Sequence, residues 1–130
     1  MILKVLADHA VKQSSTCGEI REILHGGEWS PNIALAMDIE RTTAHWHATF
    51  DEIYFVLDGW LELQLHDPAT DTHRTQVLAA NELCVITRGV HHQVICASSA
   101  NRLCIITTPC FDPADEVVSD KPQSPPQGPV

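Results

Sequence analysis

A chain of 130 residues has the length of one ordinary domain, and folding at this size buries roughly two-thirds of the unfolded surface, so one core suffices. Seventeen acidic against eight basic residues give a formal charge of −9, and the basic residues are scattered singly, which makes nucleic acid and anionic membrane poor partners. At 44% hydrophobic and 19% charged the composition is globular, and its longest apolar runs, such as Leu103 to Ile106, are too short to cross a bilayer.

The first eight residues, Met1 to Asp8, lack the long apolar stretch of a signal peptide. Five cysteines, Cys17, Cys84, Cys96, Cys104 and Cys110, make an odd number without a C-x-x-C pair, so free thiols in a reducing, cytoplasmic setting are expected. Residues 1–32 form an N-terminal segment with a weak pattern over Ile2 to Val11, a candidate extra strand from Gly18 to Leu24, and a Gly26-Gly27 turn. From residue 33 to 108, short apolar stretches alternate with turn clusters, the pattern of an antiparallel all-β domain. The runs are Ile33 to Ile39, Glu52 to Leu57, Trp60 to His66, Arg74 to Leu78, Leu83 to Thr87, His92 to Cys96 and Leu103 to Thr108. Asp58-Gly59 between the second and third is a two-residue hairpin signal. Seven strands at this spacing suggest a sandwich or barrel.

Strict alternation in Trp60 to His66 places Leu61, Leu63 and Leu65 on one face and Glu62, Gln64 and His66 on a wet one. Glu52 to Leu57 differs, because Ile53, Phe55 and Leu57 would face outward while Tyr54 and Val56 face inward. Such an outward apolar row calls for a cover, and a second copy of the chain is the expected one; the N-terminal segment, with Ile20 and Ile23, is the alternative. Residues 109–120 read as a short helix or loop, with Asp112-Pro113-Ala114-Asp115 offering a helix start. The proline-rich residues 121–130 read as a flexible tail.

Eight histidines are the one compositional excess. His45 and His47, at i and i+2, can share an ion on one strand face, and Glu52 opens the next strand beside them. A third imidazole, from His91 or His92, follows the turn at Gly89, and only one of these neighbours can face inward. Three imidazoles and a carboxylate suit one divalent first-row metal, with any open position left to water or a ligand. No H-E-x-x-H, G-x-S-x-G or phosphate-cradling glycine loop offers another route.

These residues resemble the cupin family. Its first motif, G-x5-H-x-H-x3-4-E-x6-G, is matched by His45, His47, Glu52 and Gly59, with Ile39 where its first glycine stands. Its second, G-x5-P-x-G-x2-H-x3-N, is matched by Gly89 and His92, while Asn81, Thr87 and Cys96 replace the glycine, proline and asparagine. Asn81 can still adopt a left-handed turn, whereas Thr87 does not preset φ as proline would. The resemblance implies a cupin-type antiparallel β-barrel, or jelly roll, with His45, His47, Glu52 and His92 as ligands of iron, manganese, nickel or zinc and His91 outside the set. Inward alternation from His92 would add Val94 and Cys96 to a largely apolar pocket, where Tyr54 is a candidate proton donor. Cupins include oxygenases, isomerases, cyclases and lyases as well as non-catalytic binding proteins, and fold alone does not choose among them. The expected function is a metal-dependent enzyme acting on a small organic molecule, an iron oxygenase among the options; the alternatives are a non-catalytic metal- and ligand-binding protein and a purely structural metal.

Overall fold

The computed structural model describes residues 4–10, 12–15, 18–25 and 30–119. The Gly26-Gly27 turn and the tail from Lys121 lie outside the described residues. Eleven strands occur among those described: β1 (Lys12–Ser15), β2 (Gly18–Leu24), β3 (Asn32–Met37), β4 (His45–Trp46), β5 (Asp51–Asp58), β6 (Trp60–Asp67), β7 (Thr72–Ala79), β8 (Leu83–Ile86), β9 (His91–Ala97), β10 (Arg102–Thr108) and β11 (Val117–Val118). They form two antiparallel sheets, ordered β1-β2-β3-β10-β5-β8 and β11-β4-β9-β6-β7. Among the described residues, helical structure is confined to two 3-10 turns, Ala7–His9 and Pro113–Asp115. At the second, the Asp112 side chain accepts from the Ala114 amide, and proline follows with its φ already suited to the turn. The expected all-β jelly-roll class is the observed one.

Alternation builds the core. Tyr54 and Val56 of β5, Leu61 and Leu63 of β6, Val94 of β9 and Leu103 of β10 turn inward between the sheets and are almost completely buried. Left-handed backbone closes several turns, among them those at Gly59 and Asn81. Gly59 sits at φ +77° in the β5-β6 hairpin, where a Cβ would run into Ser98 and the Ala100 carbonyl. Asn81 adopts φ +70°, so the residue replacing a motif glycine does keep the left-handed turn.

Alternation fails at two places. A register shift between Glu62 and Leu63 opposite β9 pairs Leu63 with Val94 but Glu62 with Cys96, leaving Ile95 extra. Downstream parity flips, and Cys96 points outward to Glu62 instead of into the barrel. The outer side of β6 is also drier than expected. Gln64 and His66 are buried, His66 because its ring lies between His73 of β7 and His91 of β9.

The outer face of the six-stranded sheet is apolar across four strands. Ile33, Ile106, Ile53 and Val85 form one cross-strand row, and Leu35, Cys104, Phe55 and Leu83 form the next. β1 and β2 extend this sheet at its edge beside β3, with Ile20 in the core, so among the described residues they do not cover the face over β5 and β8. Leu83 and Val85 are more than half exposed, at 54% and 56%.

Candidate metal centre

The register brings three residues of the first motif, His45, His47 and Glu52, and His92 of the second to one point between the sheets. His45 on β4 lies directly across from His92 on β9, His47 follows β4, and Glu52 arrives from β5 on the opposing sheet. All four are at most 4% exposed, and one donor atom from each lies within 4.8 Å of the others. His91 points to the other side of the sheet, where it stacks on Trp46 at 5.5 Å and bonds Ser119 through Nδ1 at 2.7 Å. The choice left open between the two neighbours is thus made by strand parity.

Each ring is held by its outer nitrogen. His45 Nδ1 donates to the Thr43 carbonyl at 2.8 Å, His47 Nδ1 to that of Asp115 at 2.7 Å and His92 Nδ1 to that of Val90 at 3.0 Å. A carbonyl only accepts, so each Nδ1 carries the proton, and in the neutral ring each Nε2 presents a lone pair. This is the arrangement by which an outer hydrogen bond fixes the tautomer of a metal-ligating histidine. His47 Nε2 lies 3.4 Å from Glu52 Oε1 and His92 Nε2 lies 3.0 Å from Oε2, yet His47 Nε2, His92 Nε2 and Glu52 Oε2 are buried without a well-formed hydrogen bond.

The electrostatics couple the buried carboxylate to the imidazoles. Burial, reinforced by the neighbouring His92, pushes the His45 imidazole down to about 3, so it is neutral at physiological pH. Burial also works against ionisation of Glu52, but contact with His47 and His92 outweighs it and holds the carboxyl well below the usual carboxylate range. On His47, burial opposes charge, while Glu52 and the Asp115 carbonyl prevail and raise its pKa. The four donors, three imidazole nitrogens and one buried carboxylate oxygen, form a group that could hold a metal ion. The donor set fits a divalent transition metal.

Asp115 is the member of the site that sequence reading missed. Its carboxylate accepts from the Ala48 and Thr49 amides and from the Thr49 hydroxyl, the last at 2.6 Å, while its carbonyl holds His47. Burial would raise its pKa; the Thr49 hydroxyl and the two amides lower it instead. Nothing local marks this role, since residue 115 lies 68 positions from His47 and reads only as part of a helix start. Phe50 stacks on His47 at 4.2 Å and meets Phe111 at 5.5 Å, giving the centre an aromatic wall.

A narrow cleft of about 20 Å³, room for roughly one water molecule, reaches Glu52 from the side of β1, β2 and β3. It is lined by Glu22, Asn32, Phe111 and Glu116 among others, with the Thr107 hydroxyl buried at its wall and lacking a hydrogen bond. Tyr54 is not among the lining residues. Its ring stands edge-on to His92 at 6.0 Å, within the packed core. Three of the thiols are not poised to attack: burial raises the pKa of Cys84 and Cys104, and the Glu62 carboxylate raises that of Cys96.

Solved structures share this architecture. A protein from Planctomyces limnophilus aligns at a TM-score of 0.71 and 22% identity over 90% of this chain and 96% of its own. Oxalate decarboxylase of Bacillus subtilis aligns at 0.74 and 10% identity, covering 92% of this chain. The fold is a cupin-type jelly roll. The capsular polysaccharide assembling protein CapF of Staphylococcus aureus aligns at 0.67 with 16% identity over 83% of this chain. This chain spans only about a third of the last two, 33% and 32% of their lengths. No protein-family profile and no curated protein sequence matches it.

Proposed function

We propose that this cupin-fold chain binds one divalent transition metal through His45, His47, Glu52 and His92 and acts with it on a small molecule in the adjacent cleft. The observation that carries the reading is the anchoring of three Nδ1 atoms on backbone carbonyls, which aims three Nε2 atoms at one buried carboxylate. When bound, such a metal supplies Lewis-acid or redox chemistry at a dry, partly open site. The chain's own residues then set what enters. Glu22, Glu52 and Glu116 face the cleft, and its lining among the described residues includes no lysine or arginine, so a neutral or cationic organic molecule is favoured over a dicarboxylate. Thr107 offers it a hydroxyl, Phe111 an apolar face, and Glu116 a carboxylate able to hold or move a proton.

Metal analysis of the purified, untagged protein, after buffer exchange that strips weakly held ions, tests this: one tightly held ion per chain is expected, lost on His47→Ala and kept on His91→Ala. Metal absent from the wild type, or kept by the first variant, overturns it. A site that binds metal and ligand without turnover would return the protein to the non-catalytic alternative.

The same reading includes a homodimer, supported by the two apolar rows over β3, β10, β5 and β8, which end on exposed Leu83 and Val85. Light scattering should give twice the 14.4 kDa chain mass, reduced to one chain by Phe55→Glu with the fold retained. A monomeric wild type would contradict it.

A further inference from the structure

The five-stranded sheet carries a second group of metal-type donors, on the face turned away from the barrel. His66 near the end of β6 lies directly across from His73 on β7, and their rings stack at 4.1 Å with 13° between planes. Asp71, in the turn joining these strands, accepts a hydrogen bond on Oδ1 from His66 Nε2 at 3.1 Å, which an incoming ion would displace, and lies 3.7 Å from His73 Nε2. A tetrahedral ion with ligands ~2.0–2.2 Å away keeps its donor atoms roughly 3.3–3.6 Å apart, so the two measured separations straddle that range. His66 is only 5% exposed although it lies on the outer face, while Asp71 and His73 open to solvent, so one donor is fixed in the wall and the ion's remaining positions face water. Asp71 holds φ +50°, which returns the chain so that its carboxylate points back over the hairpin end. His91, next across β9, is oriented by Ser119 and Trp46 and lies outside the group.

We propose that His66, Asp71 and His73 form a second, solvent-facing site for a divalent transition metal, separate from the buried centre. Two imidazoles and one carboxylate select zinc, copper or nickel over magnesium or calcium, whose preference is for oxygen. The ion would fasten β6 to β7 at the turn end of their hairpin and be held more weakly than one in the barrel, because water competes for it.

The test is a zinc titration of the untagged, metal-stripped full chain by equilibrium dialysis, with the ions counted per chain. Two ions are expected, the second lost in His73→Ala and in Asp71→Asn while the first remains. Asparagine tolerates the left-handed φ at this turn, so the second variant removes the charge without disturbing the backbone. Copper bound to the His47→Ala protein should show superhyperfine coupling to two nitrogens by electron paramagnetic resonance, reduced to one in the His47→Ala, His73→Ala double variant. A second ion that never binds at millimolar zinc, or that survives both outer substitutions, overturns the proposal. One ion per chain, removed by His73→Ala and untouched by His47→Ala, would support this site while refuting the barrel reading.

Discussion

The two histidine groups sit back to back on one sheet, and adjacent residues of β9 belong to opposite sides: His92 looks into the barrel and His91 away from it. In the inner group, three rings are tied to carbonyls, and the carboxylate comes from the opposing sheet, so the donors converge in a space that excludes water. In the outer group, the rings are neighbours on one sheet face and the carboxylate comes from a turn that is open to solvent. On the two proposals made above, similar residue types form a tighter or a weaker ligand set according to their surroundings, burial and the anchored inner rings favouring the barrel.

The largest effect that would sharpen this contrast is loss of an inner ligand. His47→Ala or His92→Ala should abolish tight metal binding, whereas His91→Ala, one residue away in sequence, should leave it intact when binding is measured by competition with a chelator. Equal losses from His91→Ala and His92→Ala would erase the distinction between the faces. A smaller loss is expected from the anchor. Asp115→Ala removes the acceptor of two amides and a hydroxyl around His47, and metal affinity should fall about 10–100-fold, the usual cost of disturbing a ligand's outer partner. Unchanged affinity would show that the carbonyls alone suffice. The smallest effect is assigned to Tyr54→Phe. The ring packs edge-on behind His92 and its loss of a hydroxyl should leave metal affinity within a few-fold, so collapse of turnover with metal retained would give Tyr54 the proton-donor role.

How legible this was in the sequence follows from the range of the forces involved. Strands show through because alternation is local: the apolar runs from Ile33 and Leu103, for example, reappear as β3 and β10. The convergence of His45, His47, Glu52 and His92 was legible from spacing within two motifs, together with the parity that separates His92 from His91. Cys96 was misplaced because a bulge costs one residue of register and leaves no mark in an apolar stretch. Asp115 was invisible as an anchor because its partners, His47 to Thr49, meet it only once the C-terminal segment has crossed the mouth of the barrel. The outer group was hidden for a similar reason. His66 read as a wet-side residue until β7 and β9 placed His73 and His91 against it.

The most direct test of the central claim is anomalous diffraction from crystals of untagged protein, collected on both sides of the absorption edge of whichever metal elemental analysis finds. The account predicts a strong peak ~2.0–2.2 Å from the Nε2 atoms of His45, His47 and His92 and from a Glu52 oxygen, with any outer peak near Asp71 weaker. No peak between the sheets, with His47 and His92 paired directly to Glu52, would contradict it.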